Sequence, residues 1–309
     1  MGNGSYSVDD YRTAAAYRAK NNIPDMTYND TGASKTHADL DPMGLVVREA
    51  RDSDEHPNSV PIAVLFDVTG SMETVPRIMQ QKLPALFDLL QRRGIADPQV
   101  LFGGIGDATC DRAPLQLGQF ESDNRSDEQL RKLFLEGGGG GQMTESYEMG
   151  LYFAARKTAL DCYEKRGRKG YLFIIGDEMP YPQVETKGSP YKGCLAGIAE
   201  VIGDKLDEPI RTEAILAEAQ EKFNVFFIMP AGTSHFENTQ VIDRWRKLLG
   251  QNFIRLDDAA AICETIATAV ILNEHTLSLE EAVSDLAAVD AANAAVVSKA
   301  LADLPVAVA

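Results

Sequence analysis

The sequence predicts a doubly wound α/β fold, a mostly parallel six-stranded sheet with helices on both faces. From Val60 onward short apolar runs rich in Val, Ile and Phe recur: "VPIAVLF", "VLFGGI", "YLFIIG", "NVFFIM" and the weaker "NFIRL". Runs of that length and composition suit strands buried on both faces of a parallel sheet. Between them lie amphipathic stretches long enough for crossover helices, and such alternation is the mark of a sheet wound in both directions. With 309 residues, 44% of them hydrophobic, the chain can bury a sizeable core.

Residues 1–58 are polar, rich in Asp, Asn, Ser and Pro, with one short helix expected around Asp9–Lys20. They read as an arm that packs on the main domain or stays mobile. The main domain spans 59–275, with helices expected at Glu73–Arg93, Ser126–Leu135, Thr144–Arg166, Pro209–Lys222, Asn238–Leu249 and Asp258–Asn273. In the Thr144–Arg166 stretch, Tyr147, Leu151, Ala154, Ala155, Thr158 and Cys162 share one face at helical spacing. Pro84 is expected to kink or break the first of these helices. "APLQLGQFE" follows "VLFGGIGDATCDR" too closely for a crossover helix and is placed as an antiparallel edge strand. Residues 276–309 read as an acidic, Ala-rich amphipathic helix with a frayed end, and the chain shows no internal repeat.

The formal charge of −16 works against extended contact with a phosphate backbone, which requires cations that displace counterions, so nucleic acid is excluded as a partner class. Half of that charge lies in residues 257–309, nine acids against Lys299; this is a solvated helical face or a docking surface for a basic partner. Cys110, Cys162, Cys194 and Cys263 are far apart, without zinc spacing, and read as ordinary reduced residues. The N-terminus lacks an apolar core after a basic start, and no segment reaches the about 18 apolar residues of a membrane span. A cytoplasmic protein is expected.

In "IAVLFDVTGSME" an apolar run ends in Asp67, followed at two-residue steps by Thr69 and Ser71. These are three hard oxygen ligands, of which one is charged. Ligands of open α/β sheets sit beyond the carboxyl ends of the strands, where the strand order reverses. Asp177 in "YLFIIGDEMP" ends another strand, and if the two strands are neighbours both carboxylates face one crevice. Two carboxylates with several hydroxyls suit a hard cation, Mg²⁺ first and Mn²⁺ or Ca²⁺ as alternatives. Incomplete neutralisation leaves such an ion electrophilic, so that an acidic side chain of another molecule can replace one water. The plain alternative is that Asp67, Thr69 and Ser71 cap the helix beginning near Glu73.

Asp67-Val-Thr69-Gly-Ser71 resembles the D-x-[ST]-x-S signature of von Willebrand factor A domains, and "EGGGGGQMTES" and "IIGDEMP" fall where that family keeps the second and third loops of its metal-ion-dependent adhesion site. The resemblance covers roughly 60–273. It implies a Rossmann-like sheet of strand order 3-2-1-4-5-6, hydroxyl ligation by Ser71 and Thr69, and Asp67 and Asp177 acting largely through bound water. The second loop departs from the pattern: Gln142 stands where a Thr usually follows the glycines, with Thr144 and Glu145 just after it. Either Thr144 has shifted in or Glu145 supplies a third carboxylate. The resemblance further implies a non-enzymatic adaptor that binds another protein, as intracellular relatives do for MoxR-like AAA+ ATPases. Self-assembly through the acidic C-terminal helix is the second reading.

Other signals are weaker. Gly103-Gly-Ile-Gly106 lacks the third glycine of a dinucleotide turn and reads as close packing, and there is no P-loop. A phosphotransferase of the haloacid dehalogenase type would need an acid where Thr69 stands. The pentaglycine Gly137–Gly141 is a tether or a site loop of close backbone approach. His235 lies on the same carboxyl-end face, Trp245 on a core-facing helix edge, and Asp39 or Asp41 of the arm could reach the cation.

Overall fold

The computed structural model describes residues 4–138, 141, 143–188 and 196–304, with the Ser71 side chain outside that set. The main sheet holds β1 (Val60–Asp67), β2 (Pro98–Ile105), β3 (Leu115–Leu117), β4 (Gly170–Ile175), β5 (Phe223–Pro230) and β6 (Phe253–Leu256). Their spatial order is β3-β2-β1-β4-β5-β6, with every pair parallel except the edge strand β3, which runs antiparallel to β2. The order therefore reverses between β1 and β4, which are direct neighbours with Phe66 opposite Ile175. This is the α/β architecture read from the sequence, including the edge placement of "APLQLGQFE".

Successive strand residues point to opposite faces, and both faces are covered. Ile62, Val64 and Phe66 enter one core, Ala63 and Leu65 the other. The helices longer than one turn are α1 (Val8–Lys20), α2 (Thr74–Arg92), α3 (Arg125–Arg131), α4 (Tyr147–Arg156), α5 (Asp161–Arg166), α6 (Thr212–Lys222), α7 (Thr239–Leu249), α8 (Ile262–Asn273), α9 (Leu279–Ala287) and α10 (Ala291–Ala300). On the first face α2 packs on α8, and on the second α4 packs on α6. Gly103 shows why β2 carries glycines: a Cβ there would run into the Gln116 carbonyl of β3 and the side chain of Leu65.

Three expectations about elements are corrected. The single helix over Thr144–Arg166 is α4 and α5, separated by a strand at Thr158–Leu160. That strand pairs in parallel with Arg48–Ala50 of the arm, and the Thr158 hydroxyl bonds the Ala154 carbonyl at the helix end. Helical spacing of apolar residues cannot reveal a distant strand that captures the backbone.

Pro84 sits inside α2, which runs on through it, so of the kink or break expected there the break does not occur. Proline lacks the N–H that would bond the carbonyl four residues back, here Gln80, and that oxygen instead accepts the Tyr11 hydroxyl of the arm at 2.7 Å. The arm thus supplies the donor that the proline removes. It is fastened further by Tyr6 stacked on Phe87 at 4.1 Å and by a buried Arg18–Asp127 ion pair.

The acidic C-terminal helix is two helices, α9 and α10. Ser278 and Glu281 form a capping box that opens α9, and Asp290 caps α10. Leu286, Ala294, Val297 and Leu301 are buried in the first core, and Asn293 and Lys82 both bond Glu264 of α8. α8 is accordingly buried almost all round.

Candidate metal centre

β1 delivers Asp67 to the carboxyl edge of the sheet, fully buried. Its Oδ1 accepts from the Thr69 backbone N–H at 2.9 Å and the Thr69 hydroxyl at 2.6 Å, and its Oδ2 accepts from the Tyr147 hydroxyl at 2.7 Å. Thr69 is buried and adjoins a 3₁₀ turn, Gly70–Met72, that contains Ser71. The Ser71 side chain and Gln142, a candidate for the second loop, lie outside the described residues.

The second loop approaches through backbone contact. Gly70 N–H donates to the Gly138 carbonyl at 2.6 Å, and Glu136 N–H to the Val68 carbonyl at 2.9 Å, which fits the pentaglycine as a site loop. Thr144–Glu145 then pairs in parallel with Met179–Pro180, so the second and third loops are joined by a short ladder. Glu145 is 2% exposed, and its Oε2 has no hydrogen-bond partner among the described residues. Asp177 ends the neighbouring β4, is buried, and accepts from the His235 N–H at 3.0 Å.

The structure therefore brings Asp67, Thr69, Glu145 and Asp177 to one carboxyl-end crevice, with half-buried Thr144 on the joining ladder. Asp39 and Asp41 point elsewhere: Asp39 pairs with Lys132, and Asp41 caps the Met43 N–H.

Three further residues complete the crevice. The Tyr147 ring, assigned from the sequence to an apolar helix face, packs edge-on to Phe227 and Trp245, which carries its hydroxyl to Asp67. Gly176 admits it, since a Cβ there would collide with that hydroxyl. Glu178 follows Asp177 and is half-buried, with its Oε2 without a partner among the described residues. Trp245 donates its indole N–H to the Glu178 carbonyl at 2.7 Å. The signal for Glu178 was its adjacency to Asp177 in "GDEMP"; nothing in the sequence marked Tyr147, whose role depends on which way its helix is docked.

Carboxyl groups crowd together here, and burial favours their protonated forms. Burial, followed by the charges of Asp67, Glu178, Asp107 and Asp111, pushes Glu145 up to about 12. Burial also raises Asp67 to about 6, against the opposing bonds from Thr69 and Tyr147. Glu178 rises to about 8, by burial and then by Asp67 and Asp177, and Glu148 to about 8, chiefly by burial. Such groups bind protons more tightly folded than unfolded, so their stabilising contribution is complete below the unfolded carboxyl range and is lost as pH rises through the folded values. In chelator the melting temperature should fall between about pH 6 and about pH 8. Acids held low by ion pairs, such as Asp52 at about 2, act far below this window. A melting temperature that rises across it would contradict the cluster.

Among the described residues no group of three or more His, Cys, Asp or Glu is arranged to hold a metal ion, so a cation site here must draw on hydroxyls as well as carboxylates. The residues fit that demand: acids with unpartnered, buried oxygens beside hydroxyls are the donor set of a hard cation, and a buried charge with no partner is costly until it is compensated. Among the described residues Cys110, Cys162 and Cys263 are free thiols, and no helix is long and apolar enough to cross a membrane.

No family model matches the chain, and no curated protein matches it. Among solved structures it is similar to the pilus adhesin SpaC from Lactobacillus rhamnosus GG, at 12% identity and TM-score 0.47, over 73% of this chain and 31% of that one. It is also similar to proximal thread matrix protein 1 from the mussel byssus with a zinc-occupied MIDAS motif, at 11% identity and TM-score 0.40, over 72% of this chain and 48% of that one. The PilB minor pilin from Streptococcus sanguinis matches at 11% identity and TM-score 0.42, over 69% of this chain and 61% of that one. The chain thus spans less than two thirds of the length of each. Likeness this distant carries no inference about ligand or partner.

Proposed function

We propose that the chain is a von Willebrand factor A-like module that holds a divalent cation of the Mg²⁺ type at the carboxyl end of β1 and uses it to engage an acidic side chain of another protein. The observation that carries this reading is Glu145, a buried carboxyl group with an oxygen unpartnered among the described residues, whose strongest charged neighbour is Asp67. Thr69 and Glu145 would hold the ion, with Ser71 and Thr144 as further hydroxyls and Asp67 and Asp177 acting largely through bound water, so that no three acids need converge on it. The cation would supply positive charge and an exchangeable coordination position. The chain's part is to fix Asp67 through Thr69 and Tyr147, and Asp177 through the His235 backbone.

The test is retention of a protein partner by the immobilised chain in Mg²⁺, release by chelator, and loss in Asp67→Ala. Retention indifferent to chelator would overturn the proposal. A second reading, a self-assembling scaffold in which the cation only stabilises the fold, is favoured by the number of acids the chain itself supplies. It predicts oligomers that persist in chelator and are lost on deleting residues 279–309. Phosphohydrolysis at the same ion is the third reading; it requires turnover of a phosphate ester that Asp67→Asn abolishes.

A further inference from the structure

β6 ends the main sheet: among the described residues it pairs with β5 on one side and with no strand on the other. In a parallel ladder alternate residues turn their N–H and carbonyl to the same neighbour. The Leu256 carbonyl accepts the Ala231 N–H at 2.7 Å, so Leu256 and Ile254 face β5. The Phe253 carbonyl and the Arg255 N–H and carbonyl therefore face outward, without a backbone partner among the described residues. Such an edge is a template for a further strand.

A groove of about 510 Å³ runs beside it, within the about 300–1,000 Å³ of ligand sites generally. Its two walls differ. On the α7 side stand Arg246, Phe253 and Arg255; the lining acids, Asp257 and Asp303, lie toward α10, where Lys299 already pairs with Asp257. Arg246 is exposed and makes no ion pair among the described residues. The Arg255 guanidinium is fixed over the Phe236 ring at 4.2 Å and bonds Glu237 through Nη2, while its Nε has no partner among the described residues. The α10 wall adds the apolar Ala300 and Leu304. In a chain of net charge −16, a wall with two arginines and no acid selects an acidic occupant.

We infer that this edge is a protein-binding site that takes an extended segment of another protein as an added strand, with acidic side chains toward Arg246 and Arg255 and apolar ones toward Ala300 and Leu304. Main-chain bonds to Phe253 and Arg255 would give affinity, and the alternation of side chains between the two walls would give specificity. The site is separate from the crevice between β1 and β4 and needs no cation.

The experiment is fluorescence polarisation of a fluorescein-labelled, amidated hexapeptide of alternating glutamate and valine, titrated with the full chain. Chelator is present throughout, so that no cation offers the glutamates another place. Expected is saturable binding, absent for alternating lysine and valine and weakened about tenfold or more by Arg246→Glu, which sets like charges across the interface. N-methylation of all valines or of all glutamates should differ sharply, one abolishing binding and the other tolerated, because alternate N–H groups alone face β6. Arg255→Pro, which removes an outward N–H that the sheet does not use, should abolish binding; if it folds poorly, Arg246→Glu and the methylated peptides still decide. No saturable binding, equal effects of the two methylations, or an unchanged Arg246→Glu would overturn the inference. So would binding that appears only when residues 305–309 are deleted, which would make the chain's own end the occupant. A dimer in sedimentation that Arg255→Pro dissolves would assign the edge to a second copy and overturn it as well. Because the titration runs in chelator, its failure leaves the cation reading standing, and failure of that reading leaves this one.

Discussion

Replacing Asp67 by Ala should abolish saturable Mg²⁺ binding, a loss larger than the about 10- to 100-fold that follows from removing a group that merely orients a ligand. Asp67 is fully buried where the strand order reverses, and its oxygens organise both the Thr69 turn and the Tyr147 hydroxyl. The cost to the fold should be small because two effects oppose. Removing a carboxyl that burial raises to about 6 relieves a desolvation cost. Leaving the donors of Thr69 and Tyr147 without an acceptor costs about 1–3 kcal/mol. In chelator the variant should therefore melt within roughly 5 °C of the wild type. A melting temperature far lower than that would make Asp67 a structural cap, the plain alternative for this motif.

The largest effect on stability should come from Trp245→Ala. The indole is fully buried, stacked on Phe227 at 3.8 Å and packed against Tyr147 at 5.6 Å. Deleting it leaves a cavity between α7, β5 and α4, and large-to-small changes of this kind cost about 3–5 kcal/mol. Chemical denaturation should show that loss. Trp245→Phe separates packing from positioning: it keeps most of the ring contact but removes the donor to the Glu178 carbonyl. That variant should retain most of the stability while binding Mn²⁺ about 10-fold or more weakly, since it loosens a group that orients the site. Equal affinity in wild type and Trp245→Phe would show that the indole N–H does not position the third loop.

The contrast between Asp67 and Tyr147 shows what was legible in the chain. Asp67 could be found because an apolar run rich in β-branched residues marks the strand, and a carboxylate with following hydroxyls marks its end. β4 and Asp177 were legible for the same reason, and the six strands of the sheet with them. Tyr147 could not be found, because its hydroxyl reaches Asp67 only through the packing of α4 against Phe227 and Trp245 and the missing side chain at Gly176. These are tertiary facts with no local signature. Thr158–Leu160 failed similarly, since a partner strand more than a hundred residues earlier decides its conformation. Pro84 is a third case: the rule that proline disrupts a helix holds for an isolated helix, but Tyr11 satisfies the carbonyl that the rule leaves orphaned. The acidic C-terminal segment reads as one amphipathic helix because its alanines and charges are plain, whereas the Asp290 cap that opens a second helix is one acid among many there.

The central claim is that the crevice between β1 and β4 binds a divalent cation. Calorimetric titration of chelator-stripped wild-type protein with Mg²⁺ and Mn²⁺, beside Asp67→Ala and Glu145→Ala, tests it most directly. The account predicts saturable binding by the wild type, lost in Asp67→Ala and weakened in Glu145→Ala. Absence of saturable binding by the wild type, or binding that survives intact in Asp67→Ala, would contradict it.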